Sequence, residues 1–375
     1  MKMREDLRKE LEEAFQWFHE HPELSYKEYE TTAKIREILT AHGIEILPYE
    51  LETGLVAVVR GEKDGAVRAL RCDIDALPIE EATDLSYRSK KAGKMHACGH
   101  DMHIVSGIGC AILLQEKRET LKGTVKIIFQ PGEETALGAL KILETDVMKD
   151  VEYIWGFHAD PTNAVGVIGI RAGYVAAAAD RFRITVKGVG CHGAHPDDGI
   201  DPILTSAAII QALQSVVSRN VNAFHPSLLS VTRISAGTTW NVIPPEAVME
   251  GTVRTMERED RVLYEKKVRE IAEQTAGAYG AEVQIEWIAG APAVENDKKM
   301  SDFVERKAGE MGLETVPEES SMGGDDFSLY EEKIPGCYIK IGTGIGHPIH
   351  HPGFRVDTKV LPRAAAFLAK VLEET

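Results

Sequence analysis

Three apolar, β-prone runs in the first half of the chain each stop at residues able to bind a metal ion. "VRALRCD" (67–73) leads into Asp73 and Asp75, "TVKIIFQ" (124–130) is followed by Pro-Gly and then Glu133 and Glu134, and "YIWGF" (153–157) is followed by His158. A helix-like stretch from about 101 to 118 separates the first run from the second. Strands alternating with helices argue for an α/β layered domain built on a mixed, largely parallel sheet. In open α/β sheets ligands bind outside the carboxyl ends of the strands. Three strands that end in such side chains therefore point to one pocket at that edge.

The remaining pattern fills in this domain and adds a second. Leu7, Leu11, Phe15 and Phe18 recur at helical spacing, which predicts an amphipathic helix ending before Pro22, and a second helix follows near 28–41. "GLVAVVR" (54–60) is a further strand. From about 180 the rhythm changes to strand 181–188, helix 202–217, strand 228–235, strand 247–254, helix 258–278 and strand 282–288. That order is βαββαβ, the ferredoxin-like unit. After "AGAPAVEND" the chain returns with elements such as "CYIKIG" (337–342). The expected organisation is therefore a first domain of residues 1–179 and 291–375, interrupted by an inserted ferredoxin-like domain of residues 180–290. A chain of 375 residues suits two domains better than one core.

Charge and cysteine usage narrow the partners. A formal charge of −16 argues against nucleic acid and anionic membranes, which both need clustered Lys and Arg. The opening "MKMREDLRKELEEAFQWF" is too charged for a signal peptide, and no apolar stretch is long enough to span a bilayer. The five cysteines are odd in number and far apart, which fits free thiols in a reducing cytoplasm.

Four segments could carry chemistry. "MHACGHDMH" (95–103) sets Cys98 and His100 around a glycine, and Cys with His serves either as a metal-ligand set or as a nucleophile and its base. "FQPGEET" (129–135) places adjacent carboxylates after a strand and a turn. Adjacent side chains diverge, so one carboxylate could bind a metal while its neighbour reaches a water, the division that metal-assisted hydrolysis needs. "GTGIGHPIHHPGF" (342–354) carries His347, His350 and His351 on a glycine-rich loop that lacks the lysine of a phosphate-binding loop. "GVGCHGAHP" (188–196) sets His192 in a glycine-rich turn of the inserted domain.

Taken in order, these segments resemble the M20 family of metallopeptidases and amidohydrolases, and more closely its aminoacylase-like subgroup. The resemblance runs nearly end to end. It also covers "HPELSYKEYET" (21–31), "RCDIDALPI" (71–79), "IDPI" (200–203), "NVIPPEAVMEGTVRT" (241–255) and "GGDDF" (323–327). It implies a site for two divalent metal ions, of zinc, manganese, cobalt or nickel, with Cys98, His100, Glu134, His158 and His350 as ligands and Cys98 between the ions. His351 fills a variable position and is not counted. The resemblance further implies that Glu133 is the general base and that Asp75 orients a ligand. It implies that His192 reaches a partner subunit's site in a homodimer formed through the inserted lid domain. Asn241 and Arg254 match positions that bind substrate.

The implied reaction is hydrolysis of an N-acyl amino acid to a carboxylate and a free amino acid. "FHADPTN", "PGEETALGA" and Asp325 of "GGDDF" depart from the family's usual sequences and bear on substrate range. Two other classes share the residues. A cysteine-nucleophile hydrolase would survive chelators, and a non-catalytic metal-binding protein would have no use for Glu133.

Overall fold

The computed structural model describes residues 3–373, so that residues 1–2 and 374–375 of the expected first domain lie outside the described residues. The chain forms two compact units. One runs through Val175 and resumes with Val294–Glu319 and from Asp326 onward, and the other is Ala176–Ala293 with Ser320–Asp325.

The first unit is built on an eight-stranded mixed sheet. Its order is Glu45–Ile46, Leu55–Arg60, Lys122–Gln130, Lys63–Asp73, Tyr153–Asp160, Gly336–Gly342, Ile168–Ile170 and Thr315–Pro317. The centre is parallel: Lys63–Asp73 pairs with Lys122–Gln130 on one side and Tyr153–Asp160 on the other, and Gly336–Gly342 pairs with Tyr153–Asp160. Leu55–Arg60 and Ile168–Ile170 pair antiparallel on either side of that centre. Register brings the strand ends together, since Asp73 lies opposite Gln130, Arg71 opposite Gly156 and His158 opposite Lys340.

The helix His100–Gln115 lies inside this unit, buried at every residue from His100 to Leu114. A helix apolar all round must be covered on all sides. One face packs on the sheet so closely that a Cβ at Gly107 would sit 2.6 Å from Cys72 Sγ. The opposite face meets two helices, Glu5–Glu20 and Val360–Glu373, with a Cβ at Gly109 falling 2.7 Å from Ala365 and 2.8 Å from Leu11. Sequence pattern extends this helix to about 118, but it stops at Gln115, where Glu116 to Glu119 turn out toward solvent. Leu7, Leu11, Phe15 and Phe18 are buried, as their spacing predicts. None of the described helices is long and apolar enough to cross a membrane.

The second unit has a four-stranded antiparallel sheet in the order Ser227–Ala236, Glu246–Thr255, Ala178–Lys187, Glu282–Ile288. Burial alternates along Glu246–Thr255, as it must in a strand with one covered face. Helices Pro202–Ser215 and Arg258–Ala278 cover that face through Ile209, Leu213, Tyr264, Val268 and Ala272. Asp201 caps the first of them, its Oδ1 accepting the amides of Ile203 (2.8 Å) and Leu204 (3.1 Å). The helix ends at Ser215 in a wider turn, Val216–Asn220, before the expected 217. Ser320–Asp325, assigned by sequence to the first domain, packs within this unit. The Ala177 amide donates to Ser321 O (3.0 Å) and Gly323 O (2.8 Å), a pairing across more than a hundred residues that no local pattern encodes.

Candidate metal centre

The carboxyl ends of the parallel strands and the start of the buried helix meet at one place in the first unit. Cys98 precedes the helix, Gly99 turns the chain at φ +86°, and His100 is the first helical residue. Glu133 and Glu134 form a short 3₁₀ turn just past strand Lys122–Gln130. His158 lies within strand Tyr153–Asp160, which continues past it. His350 comes from the C-terminal loop at φ +63°, its amide donating to Ala97 O at 2.7 Å.

Hydrogen bonding fixes which ring nitrogens carry lone pairs. His100 Nδ1 donates to the carbonyl of Asp75 (2.8 Å), so Nε2 faces the site as an acceptor. His158 Nδ1 donates to Ala159 O (2.8 Å), which leaves Nε2 toward Cys98 Sγ at 3.3 Å. His350 Nε2 lies 3.4 Å from Glu134 Oε1, and His100 Nε2 lies 4.0 Å from the same oxygen. Two triads, Cys98–His100–His158 and Cys98–Glu134–His350, each keep their ligand atoms within 4.8 Å of one another. His100 Nε2 and Glu134 Oε1 are buried without a hydrogen-bond partner. Buried polar atoms are rarely left so. A divalent cation satisfies both, and a set of sulfur, imidazole and carboxylate donors suits one.

The surrounding residues hold this set in place. Asp75 accepts the Glu133 amide on Oδ1 (3.1 Å), and the Glu134 amide (3.0 Å) and the Ser25 hydroxyl (2.6 Å) on Oδ2. Burial alone would raise its carboxyl, but His100, Ser25 and the Glu134 amide hold it below the usual range. Asp73 is wholly buried, and Arg71, His100 and His103 overcome the cost of burial and hold it well below a carboxylate's ordinary pKa. Burial opposes charge on His100 as well, yet Asp73, Cys98 and Asp75 raise it well above its usual value. The negative potential that draws a proton to His100 draws a metal ion equally.

His103 also approaches Asp73 and His100, but both its nitrogens are committed. Nε2 accepts the Ala159 amide (2.9 Å) and Nδ1 donates to Asp73, so His103 has no lone pair for a metal. Asp73 marks a strand end in the sequence, but its partnership with His103 and with the Arg71–Asp326 pair (2.6 Å) beneath them is seen only in the fold. The signal available for them was spacing: Asp73 shares a strand face with Arg71 and Asp75 at period two, and His103 shares a helix face with His100.

The 3.3 Å approach of Cys98 to His158 has the geometry of a thiol and its base, but the electrostatics oppose it. Burial pushes the Cys98 thiol up to about 12 and holds His158 well below its ordinary value. A nucleophilic pair needs the reverse, a lowered thiol and a charged imidazole.

The other candidate residues belong to the second unit. Cys191–His192 pairs antiparallel with Val242–Ile243, and the Gly193 amide donates to Asn241 O (2.8 Å), so His192 and Asn241 share one small two-stranded ladder. His192 is exposed, and its Nδ1 accepts the Ala194 amide at 3.0 Å. Arg254 is half-buried near the end of strand Glu246–Thr255, and burial lowers its pKa against the pull of Asp180.

Strand ends that converge on a cysteine, three histidines and paired glutamates define a metal-dependent hydrolase. The description Peptidase family M20/M25/M40 matches residues 69–374, and the chain belongs to that family, in its aminoacylase-like subgroup. It is 48% identical over 354 residues to an N-acetylcysteine deacetylase of Bacillus subtilis, covering 94% of this chain and 93% of that protein. It is 34% identical over 365 residues to an IAA-amino acid hydrolase of Arabidopsis thaliana, covering 94% and 82%. A Bacillus subtilis crystal structure described as a dinuclear metal-binding peptidase from the M20 family superposes with a TM-score of 0.90 at 44% identity, covering 98% of both chains. The protein is a metal-dependent amidohydrolase of that family.

Proposed function

We propose that the enzyme hydrolyses N-acyl amino acids to a carboxylate and a free amino acid, with acetyl as the preferred acyl group. The observation that carries this reading is the pair of buried, unpartnered ligand atoms, His100 Nε2 and Glu134 Oε1, within the cluster that also holds Cys98, His158 and His350. These five residues would hold two divalent ions, of zinc, manganese, cobalt or nickel, with Cys98 common to both triads. When bound, the ions supply Lewis-acid polarisation of the amide carbonyl and bring the pKa of water down to about 7. Glu133, its amide tethered by Asp75, takes the proton of the attacking water and returns it to the leaving amine. Because His192 Nδ1 accepts a backbone amide, its neutral ring carries the proton on the exposed Nε2, a donor suited to a developing oxyanion. Arg254 and Asn241 supply a guanidinium and an amide for the substrate's carboxylate and carbonyl groups.

Two relatives named as N-acetylcysteine deacetylases, 48% and 42% identical, make N-acetylcysteine the first substrate to try. The experiment is a screen of acetyl, benzoyl and indoleacetyl amino acids on enzyme reconstituted with each of the four metals. Turnover of acetyl substrates above the aromatic acyl groups supports the reading, and no cleavage of any N-acyl amino acid rejects it.

The inserted segment 180–290, which lies within the second unit, serves as a ferredoxin-like lid and as the contact of a cytoplasmic homodimer. Its strand Ser227–Ala236 is a sheet edge open to pairing across a two-fold axis, and all five cysteines are free. His192 then acts in the partner's site. In mixed dimers of Glu133→Gln and His192→Ala chains, one of the two sites regains both groups and activity returns. Mixed dimers as inactive as their parents reject the cross-subunit role.

A further inference from the structure

We infer that Glu28 is a positioning residue for Glu133, acting through the turn that presents it; this rests on Glu133 being the general base proposed above. Glu28 is 0% exposed and lies in the loop between the first two helices. Its Oε1 accepts the Gly132 amide at 2.9 Å, and its Oε2 accepts the Thr53 hydroxyl at 2.7 Å. With Asp75 on the amides of Glu133 and Glu134, three successive backbone N–H groups end on buried carboxylates.

The arrangement constrains the softest joint of the turn. Gly132 has φ +69°, a conformation that glycine adopts freely and leaves as freely. Glu28 pins the peptide plane before it and Asp75 the plane after it, so both torsions of Gly132 are set. Tyr26 closes the remaining direction, its ring 2.5 Å from where a Gly132 Cβ would stand and its hydroxyl 3.0 Å from Thr135 Oγ1. An acid in the interior is costly to bury, and a chain that only had to fill this space would do so with an apolar residue. Burial raises the Glu28 pKa to about 7, so an uncharged amide is not foreign to its surroundings.

Two conservative variants separate reach from charge. Glu28→Gln keeps the length and a carbonyl oxygen for the Gly132 amide but gives up the charge. Glu28→Asp keeps the charge but is one methylene too short to hold Gly132 and Thr53 together. With metal-loaded enzyme, Glu28→Asp should lower kcat about ten- to a hundredfold with little change in KM, since a misplaced catalytic group loses on that scale. Glu28→Gln should stay close to wild type, and both variants should bind two metals. Hydrogen exchange supplies a readout independent of turnover. The peptide spanning residues 129–135 should lose protection in Glu28→Asp and keep it in Glu28→Gln.

If Asp restores kcat and Gln does not, the charge acts and the positioning role is overturned. It is overturned equally if neither variant changes kcat or exchange, or if only thermal stability moves. Should the wild type cleave no N-acyl amino acid, the functional reading fails by itself, and the exchange comparison still decides whether Glu28 holds the turn.

Discussion

Asp75→Asn tests the support of the site with a change of a single atom. The carboxylate accepts the Glu133 amide on Oδ1, and the Glu134 amide and the Ser25 hydroxyl on Oδ2, with His100 Nδ1 3.3 Å from Oδ1. An asparagine satisfies more donors with its oxygen on the Oδ2 side, which turns its NH₂ group toward the Glu133 amide and His100. One buried backbone donor is then unsatisfied, at a cost of about 1–3 kcal/mol, and the bonds that remain lose their charge assistance, about 1 kcal/mol each. Relief from burying a charge offsets part of this, leaving a net loss of about 2–4 kcal/mol in the metal-free protein. Because the same carboxylate holds the backbone of both glutamates and sets its charge 3.3 Å from His100 Nδ1, metal affinity should fall about 10–100-fold. Urea unfolding of the metal-free protein measures the first effect, and competition with a fluorescent chelator the second. If both quantities stay at wild-type values, Asp75 does not support the site and the reasoning from its contacts is refuted.

Further outcomes follow from neighbouring residues. Glu133→Gln should keep both metals and lose about 10²–10⁴ in kcat, whereas Glu134→Gln should lose metal; metal analysis beside steady-state rates checks both, and the opposite pattern would exchange their roles. His19 is buried, with Nδ1 2.6 Å from Asp101 and Nε2 3.3 Å from Glu81. Burial opposes its charge, but these carboxylates raise its pKa to about 9 from 6.5. Its folded pKa lies above its unfolded one, so its contribution, up to about 3 kcal/mol, is full below pH 6.5 and is lost as the pH rises through about 9. Stability measured by denaturant across that window should fall in the wild type and stay flatter in His19→Gln.

Local patterns predicted what local physics decides. The helix Glu5–Glu20 buries the four residues whose spacing marks them, and the strands that end at Asp73 and Gln130 do so where their apolar runs stop. Pairing between distant segments was not legible. The antiparallel flanks of the sheet and the packing of Ser320–Asp325 in the second unit depend on contacts far apart in sequence. At the candidate site, residue type marked the segments that hold Cys98, His100, the Glu133–Glu134 pair, His158 and the C-terminal histidines, and the family resemblance chose among them; nothing local separates His100 from His103. That distinction depends on the Ala159 amide filling His103 Nε2, a contact set by tertiary structure. Glu28 was hidden for a similar reason. A glutamate in a polar loop reads as a surface charge until the fold seals it against Gly132 and Thr53.

The central claim is that a dinuclear site built around Cys98 drives amide hydrolysis. Its most direct test is a titration of chelator-stripped wild type and Cys98→Ala with a divalent metal, recording bound metal and N-acetylcysteine hydrolysis at each step. The wild type should be inactive when stripped, bind two ions per chain and regain activity with them, while Cys98→Ala should bind less metal and stay slow. Full activity in the stripped wild type, or two tightly held ions and normal turnover in Cys98→Ala, would contradict the account.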